Sequence, residues 1–539
     1  MLLIRIELWN KFIVKTYKPE KHQSHLLKSI LRNQLNTQYA KDNNFPEIDN
    51  YDDYKKKVSV NTYEDLKPYI DKQNLESKPY INIEQHIFCT ITSGTTNSPK
   101  LIPVTKKMVQ VYKKSQSLMS YAYYQYNRKI YQGKILAIVS PTIEGRLDSG
   151  LQYGSMSGLI SSSMSKFARY KYVVPEVVFE IKDYDAKYYY ICLFALNYKD
   201  ITFIATANPS TIIKINQVIF KYRKKLLRDL NGKNLKNTFK LPDIQFALIN
   251  KQFNQNLARV IELQNIIDTE NDFQLKNIWP NLQVISMWTG GSVGVTTQKV
   301  KKIAKNIDIF EMGYLSSEFR GSININPKNN TCIPTINEVF FEFILVDDYH
   351  KNSNNYLLIN EIEAFKKYYV VVTTQFGLYR YFMNDIIETG NYYNNTPTIK
   401  FIQKGSGIGN ITGEKIYETQ VIEAIKQLES KYKSTIDFFI MVADADSLGY
   451  ELFVQTKLDN QIIIADDFEY FLGRANIEFQ SKRDSGRLNK TKVILLNDCA
   501  GENYKKYCIA NGQREGQFKY LIVQNKETLD YDFYKDRKR

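Results

Sequence analysis

Residues 89–105 read CTITSGTTNSPKLIPVT. Thr90, Ile91 and Thr92 suit the end of a strand, and Leu101, Ile102 and Pro103 resume an extended run. Between them, Ser93, Gly94, Thr95, Thr96, Asn97 and Ser98 form a turn rich in hydroxyls, closed by Pro99 and Lys100. Such a turn can wrap an anion. Backbone N–H groups in a Gly-containing turn form a nest, the hydroxyls donate, and the Lys supplies full charge. A triphosphate is the obvious anion. The stretch is not a Walker loop: counting from Gly94, Pro99 fills the second Gly position and Leu101 the hydroxyl position. The same residues also suit a plain Ser/Thr turn joining two strands.

The remaining sequence bounds what such a loop could serve. A chain of 539 residues is long enough for two or more domains and a large core. Five scattered cysteines without a CxxC pair argue against a disulfide scaffold or zinc site and suit a reducing cytosol. Arg5, Glu7 and Lys11 interrupt the apolar tint of the first residues, so no signal peptide is expected, and no apolar run is long enough for a transmembrane helix. The formal charge of +16 is spread along the chain rather than gathered on one segment. This pattern reads as a solvated surface that can steer anionic substrates, not as a nucleic-acid binder.

Several segments have clear periodicity. Residues 22–38 suit a helix with Leu26, Leu27, Ile30, Leu31 and Leu35 on one stripe, followed by a polar connector at 42–53. Thr62 suits a helix cap, with Glu64 and Asp65 in the first turn. A helix is expected over 103–127, and strands over 134–140, 201–206 and 244–249. Strand 284–287 leads through Trp288 into a Gly290-Gly291 turn and a helix over 296–305, the strand–turn–helix arrangement at which α/β proteins hold ligands. Strand 309–310 leads into Gly313-Tyr314-Leu315-Ser316-Ser317-Glu318. Strands over 337–347, 368–374 and 398–403 follow. Between the last two lies GLYRYFMNDIIETG at 377–390. KGSGIGN at 404–410 is the most flexible run. A smaller α/β unit is expected beyond it, with helices at 417–432 and 466–480 and strands at 436–442, 451–455 and 493–496.

Three of these stretches together resemble the motifs of one family. SGTTNSPKLIP is similar to the phosphate loop of acyl-adenylating enzymes, and the Lys100-Leu101-Ile102-Pro103 extension to that of the auxin-responsive Gretchen Hagen acyl-acid amido synthetases. The TYEDLKPYI segment at 62–70, the Gly/Ser-rich turn at 149–158 and the Trp-x-Gly-Gly-Ser stretch also resemble that family, as does Tyr314-x-Ser-Ser-Glu318. Tyr379-Arg380-Tyr381-Phe382-Met383-Asn384-Asp385 is similar to the family's Tyr-Arg-Tyr-Arg-x-Gly-Asp, with Phe382 in place of the second Arg and Asn384 in place of the Gly. Gly413-Glu414-Lys415 and Gly512-Gln513-Arg514-Glu515-Gly516-Gln517-Phe518-Lys519 resemble its C-terminal motifs.

The resemblance implies a large multi-sheet α/β adenylate-forming domain over 1–405 and a smaller mobile α/β domain over 406–539. It implies ATP as a substrate and Mg2+ as its counterion. The nucleotide would be held by Thr92, Ser93, Gly94, Thr95, Thr96, Lys100, Gly290, Gly291, Tyr314, Ser316, Ser317 and Asp385, with Asp385 on the ribose hydroxyls. Glu318 would bind the metal, Lys519 would be the catalytic lysine, and Lys415 is the alternative for that role. A small carboxylic acid would become acyl-AMP and then pass to an amine, an amino acid being the expected acceptor. Membrane and nucleic-acid partners are not expected; a cytoplasmic monomer is. Two other readings stay open: a ligase with a thiol or other acceptor, and a non-catalytic nucleotide-binding protein whose third motif has degenerated at Phe382 and Asn384.

Overall fold

The computed structural model describes residues 2–92, 100–232, 235–269, 274–290, 294–351, 353, 355–411, 414–484, 488–513, 515 and 518–538. Its contacts divide the chain into two units. The first comprises residues 1–289, 296–383 and 388–400; the second comprises 290–295, 384–387 and 401–539.

In the first unit, four parallel strands (Lys134–Ala137, Ile201–Ala205, Val284–Met287 and Asp308–Glu311) form one sheet in chain order. Parallel neighbours need long crossovers, and helices supply them. Helix Tyr184–Leu196 is apolar on every side and is buried on every side, from Tyr188 to Leu196. Helix Ser210–Asn231 instead carries a stripe, Ile212, Ile215, Ile219, Leu226 and Leu230, into the same core, which closes around Trp279.

A second sheet of the first unit begins with strands Val339–Leu345 and Lys367–Thr374, paired antiparallel with Glu342 opposite Val371. Helix Pro19–Asn33 is fixed to it by Gln23. This buried amide donates to the carbonyls of Ile336 (2.8 Å) and Val339 (2.7 Å) and accepts from the Phe341 N–H (2.8 Å). Beneath helix Tyr51–Lys57 lies a fully buried ion pair. Arg380 Nε donates to both oxygens of Glu342, at 3.0 and 3.1 Å, and its Nη2 lies 2.8 Å from Oε1. Arg380 is 2% exposed and Glu342 0%.

The second unit is a sheet in the order Lys492–Leu496, Gly449–Thr456, Ile436–Asp444, Val523–Asn525. Side chains alternate across a strand, and Ile436–Asp444 obeys this. Phe439 and Met441 join helices Glu418–Tyr432 and Gln461–Ala475 on one face. Phe438, Ile440 and Val442 join helix Ala500–Ala510 and Phe533 on the other.

Three expectations from the sequence change. Residues 244–249 are not a strand but part of helix Asp243–Gln252. Pro242 precedes it and Asp243 fills its first turn, both helix-start signals. Only Ile249 is buried in it, while Ile244 is 79% exposed. The helix at 466–480 is two, Gln461–Ala475 and Ile477–Asp484, separated where Asn476 Oδ1 accepts the Phe479 N–H at 2.9 Å as an N-cap. The helix at 22–38 ends at Asn33, and a second, Gln38–Asp42, starts on the Thr37 cap. No helix among the described residues is long and apolar enough to cross a membrane.

Replacing Glu342 by Leu leaves the Arg380 guanidinium buried without its counter-charge. This should lower unfolding free energy by about 3–5 kcal/mol in a urea titration. A loss below about 1 kcal/mol would show that the pair does not hold the unit together.

Candidate nucleotide site

Strands Phe88–Thr92 and Lys100–Val104 pair antiparallel with Thr92 opposite Lys100, so residues 93–99 join the ends of a hairpin. Ser93, Gly94, Thr95 and Thr96 lie outside the described residues, as do Gly291 and the side chain of Thr92. Strand Gln152–Gly154 runs parallel beside Phe88–Thr92, which places part of the Gly/Ser-rich stretch against the hairpin. A Cβ on Gly154 would fall 1.8 Å from the Thr142 carbonyl, so only glycine fits there.

Lys100 leaves the hairpin between two aromatic rings. Its ammonium lies 5.8 Å from the Tyr63 ring centre and 6.0 Å from that of Tyr381, and Nζ is 3.5 Å from the Tyr381 hydroxyl. The Tyr63 hydroxyl accepts the Leu101 N–H at 2.9 Å. Tyr63 opens helix Tyr63–Glu76, which starts on the Thr62–Asp65 capping box. One residue earlier, the Asn61 N–H donates to the Arg380 carbonyl (2.9 Å) and its carbonyl accepts from Phe382 (2.8 Å). The 61–63 segment therefore ties the hairpin to the Tyr-Arg-Tyr motif.

The Tyr314–Glu318 stretch is a tight turn closed by a bridge between Leu315 and Arg320. The Ser316 N–H and hydroxyl both donate to the Phe319 carbonyl, at 3.1 and 3.2 Å. Tyr112, from helix Lys106–Tyr126, donates its hydroxyl to the Ser316 carbonyl at 2.7 Å. Burial holds that hydroxyl protonated far above the ordinary tyrosine range, so it remains a donor. The helix is capped by Thr105 at the end of the hairpin, so one rigid rod positions both loops. Tyr314 itself is only 5% exposed, with its ring edge-on to Phe319 at 5.3 Å. Ser317 is buried, and Glu318 is 9% exposed. The Glu318 carboxylate accepts no hydrogen bond from another described residue.

Glu311 is the residue that motif reading did not single out. One carboxylate oxygen accepts the N–H (2.7 Å) and hydroxyl (2.5 Å) of Thr289; the other accepts the Gly313 N–H (2.9 Å). Thr289 runs directly into the Gly290 turn, and Gly313, at φ +85°, into Tyr314. A single carboxylate thus holds the bases of two predicted nucleotide loops. A Glu one residue beyond the apolar end of a strand was the available signal.

The second unit carries the other predicted residues. Asp385 is buried and lies 2.5 Å from the half-exposed Lys404 ammonium, an ion pair that leaves further lone pairs for hydroxyl donors. Asn384, where the family motif has Gly, sits at φ +50°, a left-handed conformation that Asn accepts better than most side chains. Lys415 is half-buried, and its carbonyl accepts from Asn476 at 2.8 Å. Its neighbour Glu414 is buried and accepts the Tyr450 hydroxyl (2.5 Å) and the Ile411 N–H (2.9 Å). Lys519 is half-buried, with its ammonium 4.7 Å above the Phe401 ring. Nearby, Glu418 is buried and accepts the Ile522 N–H at 2.7 Å. Burial pushes its carboxyl up to about 8, against the opposing pull of the Ile522 and Val523 N–H groups and Lys519.

Two outcomes follow from this geometry. Glu311→Ala should weaken nucleotide binding about tenfold, measured with a fluorescent ATP analogue, because both turns lose their anchor; unchanged affinity would show that the turns hold without it. Glu418 binds its proton more tightly folded than unfolded. Its contribution therefore falls as pH rises from the ordinary carboxyl value near 4.5 to about 8 and is level outside that window. Glu418→Gln should flatten the stability–pH curve across that window and be the more stable form at its upper end, read by thermal melts; an unaltered curve would contradict the buried acid.

The chain matches the GH3 family N-terminal domain over residues 9–309, the central domain over 332–404 and the C-terminal domain over 419–528. It is 24% identical over 427 residues to indole-3-acetic acid-amido synthetase GH3.15 of Arabidopsis thaliana, covering 75% of this chain and 71% of that protein. It is 23% identical over 493 residues to jasmonoyl-L-amino acid synthetase GH3.5 of Oryza sativa subsp. japonica, covering 84% and 83%. The solved structure of the GH3.15 acyl acid amido synthetase superposes with a TM-score of 0.85 at 19% identity, over 98% of this chain and 96% of that one. A 2-hydroxyisobutyryl-CoA ligase in the postadenylation state superposes at 0.52 and 12% identity, over 93% and 89%. With three successive domains matched along most of its length, this chain belongs to the GH3 family.

Proposed function

We infer that this chain is an ATP-dependent acyl-acid amido synthetase: it adenylates a small carboxylic acid and passes the acyl group to the amine of an amino acid. Beyond the family itself, the observation that carries the reading is Glu318. Its residue is 9% exposed and its carboxylate takes no hydrogen bond from a described residue, which leaves both oxygens available to a cation. It sits in a turn that Tyr112 holds against the same helix that Thr105 starts beside Lys100.

Among the described residues, no three His, Cys, Asp or Glu side chains are grouped to hold a metal. A cation at Glu318 would thus take its other ligands from phosphate oxygens and water, the coordination that suits Mg2+. When bound, Mg2+ neutralises phosphate charge. The chain's own residues do the rest. Lys100 and the hairpin N–H groups hold the phosphates, the Tyr314–Ser317 turn and Gly290 border the base, and Asp385 accepts the ribose hydroxyls. A carboxylate oxygen of the acid attacks the α-phosphorus, the bond to the β-phosphate oxygen breaks, and pyrophosphate leaves. Lys519, with Lys415 as the alternative, offsets charge growing on the α-phosphate. The amine lone pair then attacks the acyl carbon, AMP leaves with the C–O electron pair, and the amine proton passes to solvent. No side-chain nucleophile is needed, since the substrate carboxylate performs that role. Residues 1–405 serve as the adenylating domain and 406–539 as a mobile small domain that brings the lysine.

The test is ATP–pyrophosphate exchange over a panel of carboxylic acids, followed by mass detection of amides with the twenty amino acids. Exchange that depends on the acid, falls about 100-fold or more in Lys519→Ala and requires more ATP in Asp385→Ala is the expected result. Exchange with product only when a thiol replaces the amine would assign a different acceptor. Failure of the protein to bind ATP at all would overturn the reading.

A further inference from the structure

A surface cavity of about 320 Å³ lies in the first unit, lined by Lys15, Lys21, His22, His25, Leu26 and Asn337. His22, His25 and Leu26 share one face of helix Pro19–Asn33 by their spacing. Lys15 ends the preceding helix, Leu2–Lys15, and Asn337 belongs to the approach to strand Val339–Leu345. The walls are fixed rather than merely adjacent. Gln23 fastens the helix to the carbonyls of Ile336 and Val339, on either side of Asn337. Thr16, next to Lys15, is held by Asn394 (2.6 Å to its hydroxyl), and its carbonyl accepts from Thr396 (2.9 Å).

The lining is cationic, and the carboxylates whose charge reaches it are Glu338, at Lys15, and Glu20, at His22. None of Lys15, Lys21, His22 and His25 forms a salt bridge with another described residue. Further out, Lys107 and Lys114 add to the field on Glu338, the buried acid of this corner, which Lys114 already pairs at 3.2 Å. Burial, followed by Lys15, His25 and Lys21, pushes the His22 imidazole below its ordinary value; burial, followed by Lys114, does the same to Lys15. These are groups crowded by like charge, which an anion would relieve. Asn337 completes the wall, its Nδ2 donating to Glu338 at 2.9 Å.

We propose that this cavity binds a small phosphate-type oxyanion, orthophosphate or pyrophosphate, between Lys15, Lys21, His22 and His25. The assignment does not depend on the proposed activity, and the site is separate from the residues assigned to the nucleotide. Its volume accommodates either anion. Because two of its donors are histidines, binding strengthens as pH falls.

The experiment is calorimetric titration of the full chain with orthophosphate and, separately, pyrophosphate at about pH 6 and about pH 8. Wild type, Lys21→Glu and Lys100→Ala are compared. Diethyl pyrocarbonate modification of His22 and His25 is followed in parallel by mass spectrometry, with and without saturating anion. Lys21 is exposed, so its variant should keep the wild-type melting midpoint. The expected result is a saturable site that is tighter at the lower pH, weakened about tenfold by Lys21→Glu and indifferent to Lys100→Ala, with slowed modification of both histidines. A clear preference for one anion names the occupant and supports the site in either case. Binding that disappears in Lys100→Ala and persists in Lys21→Glu would place the anion at the hairpin and overturn the proposal. So would unprotected histidines, or no saturable binding up to about 10 mM.

Discussion

The buried pair of Arg380 and Glu342 is the constraint on which the first unit's polar loops depend. Arg380 sits at φ +41°, an uncomfortable backbone for a long side chain, and it is fully enclosed. The enclosure is tolerable because every surrounding group contributes. Tyr51 donates to Glu342 at 2.8 Å, the Arg380 Nη1 donates to the carbonyls of Val58 (2.9 Å) and Lys55 (3.2 Å), and the ring of Tyr356 lies 4.5 Å from the guanidinium. Such a pair adds little net stability over a well-packed apolar substitute, but it admits few alternative registers. Here the register it fixes is that of residues 51–63 against 373–382, and through Tyr63 that of the phosphate hairpin.

Tyrosine supplies the remaining cross-ties. The chain has 40 of them, and the site uses their two-sided character: a ring to bury and a hydroxyl to place. Tyr63 and Tyr381 flank Lys100, Tyr112 holds the Ser316 turn, Tyr54 meets the Thr373 hydroxyl at 2.8 Å, and Tyr379 donates to the Ile81 carbonyl at 2.9 Å. Each hydroxyl replaces a water that the neighbouring backbone would otherwise require, so the loops can be held from beneath by groups that never touch a ligand. Lysine is treated alike in both units: Lys100 beside two rings, Lys519 above Phe401. An aromatic face restrains an ammonium without neutralising it.

What could be read from sequence was local. The Thr62 cap, the helix expected over 103–127 and the strand expected over 436–442 declare themselves within a few residues, because capping, helical spacing and apolar runs are short-range signals. The site's scaffold does not. Glu342 lies 38 residues from Arg380, and Gln23 more than 310 from the carbonyls it serves. Nothing in the local pattern of either position distinguishes a scaffold residue from a surface one. Glu311 offered only its place past an apolar strand end, since its meeting with Thr289 comes about only when two parallel strands align. Residues 244–249 illustrate the converse: a helix with one buried residue has too weak a stripe to outvote an apolar run.

The two departures in the third motif have different physical meanings. Asn384 preserves what Gly offers, a backbone that can enter the left-handed region, here inside strand Tyr381–Tyr393 just before Asp385. Phe382 preserves nothing of an arginine's charge. Its ring instead stacks on Tyr349 at 5.3 Å and 14°, with Tyr369 5.5 Å away, and those two tyrosines lie 4.4 Å from each other. A three-ring cluster is not the remnant of an eroded charge site, which would leave an arginine's former partners buried and unpaired. Tyr349 and Tyr369 come from two further segments of the chain, and both suit an aromatic neighbour. Phe382 is thus packed as one member of an aromatic cluster that Tyr349 and Tyr369 complete.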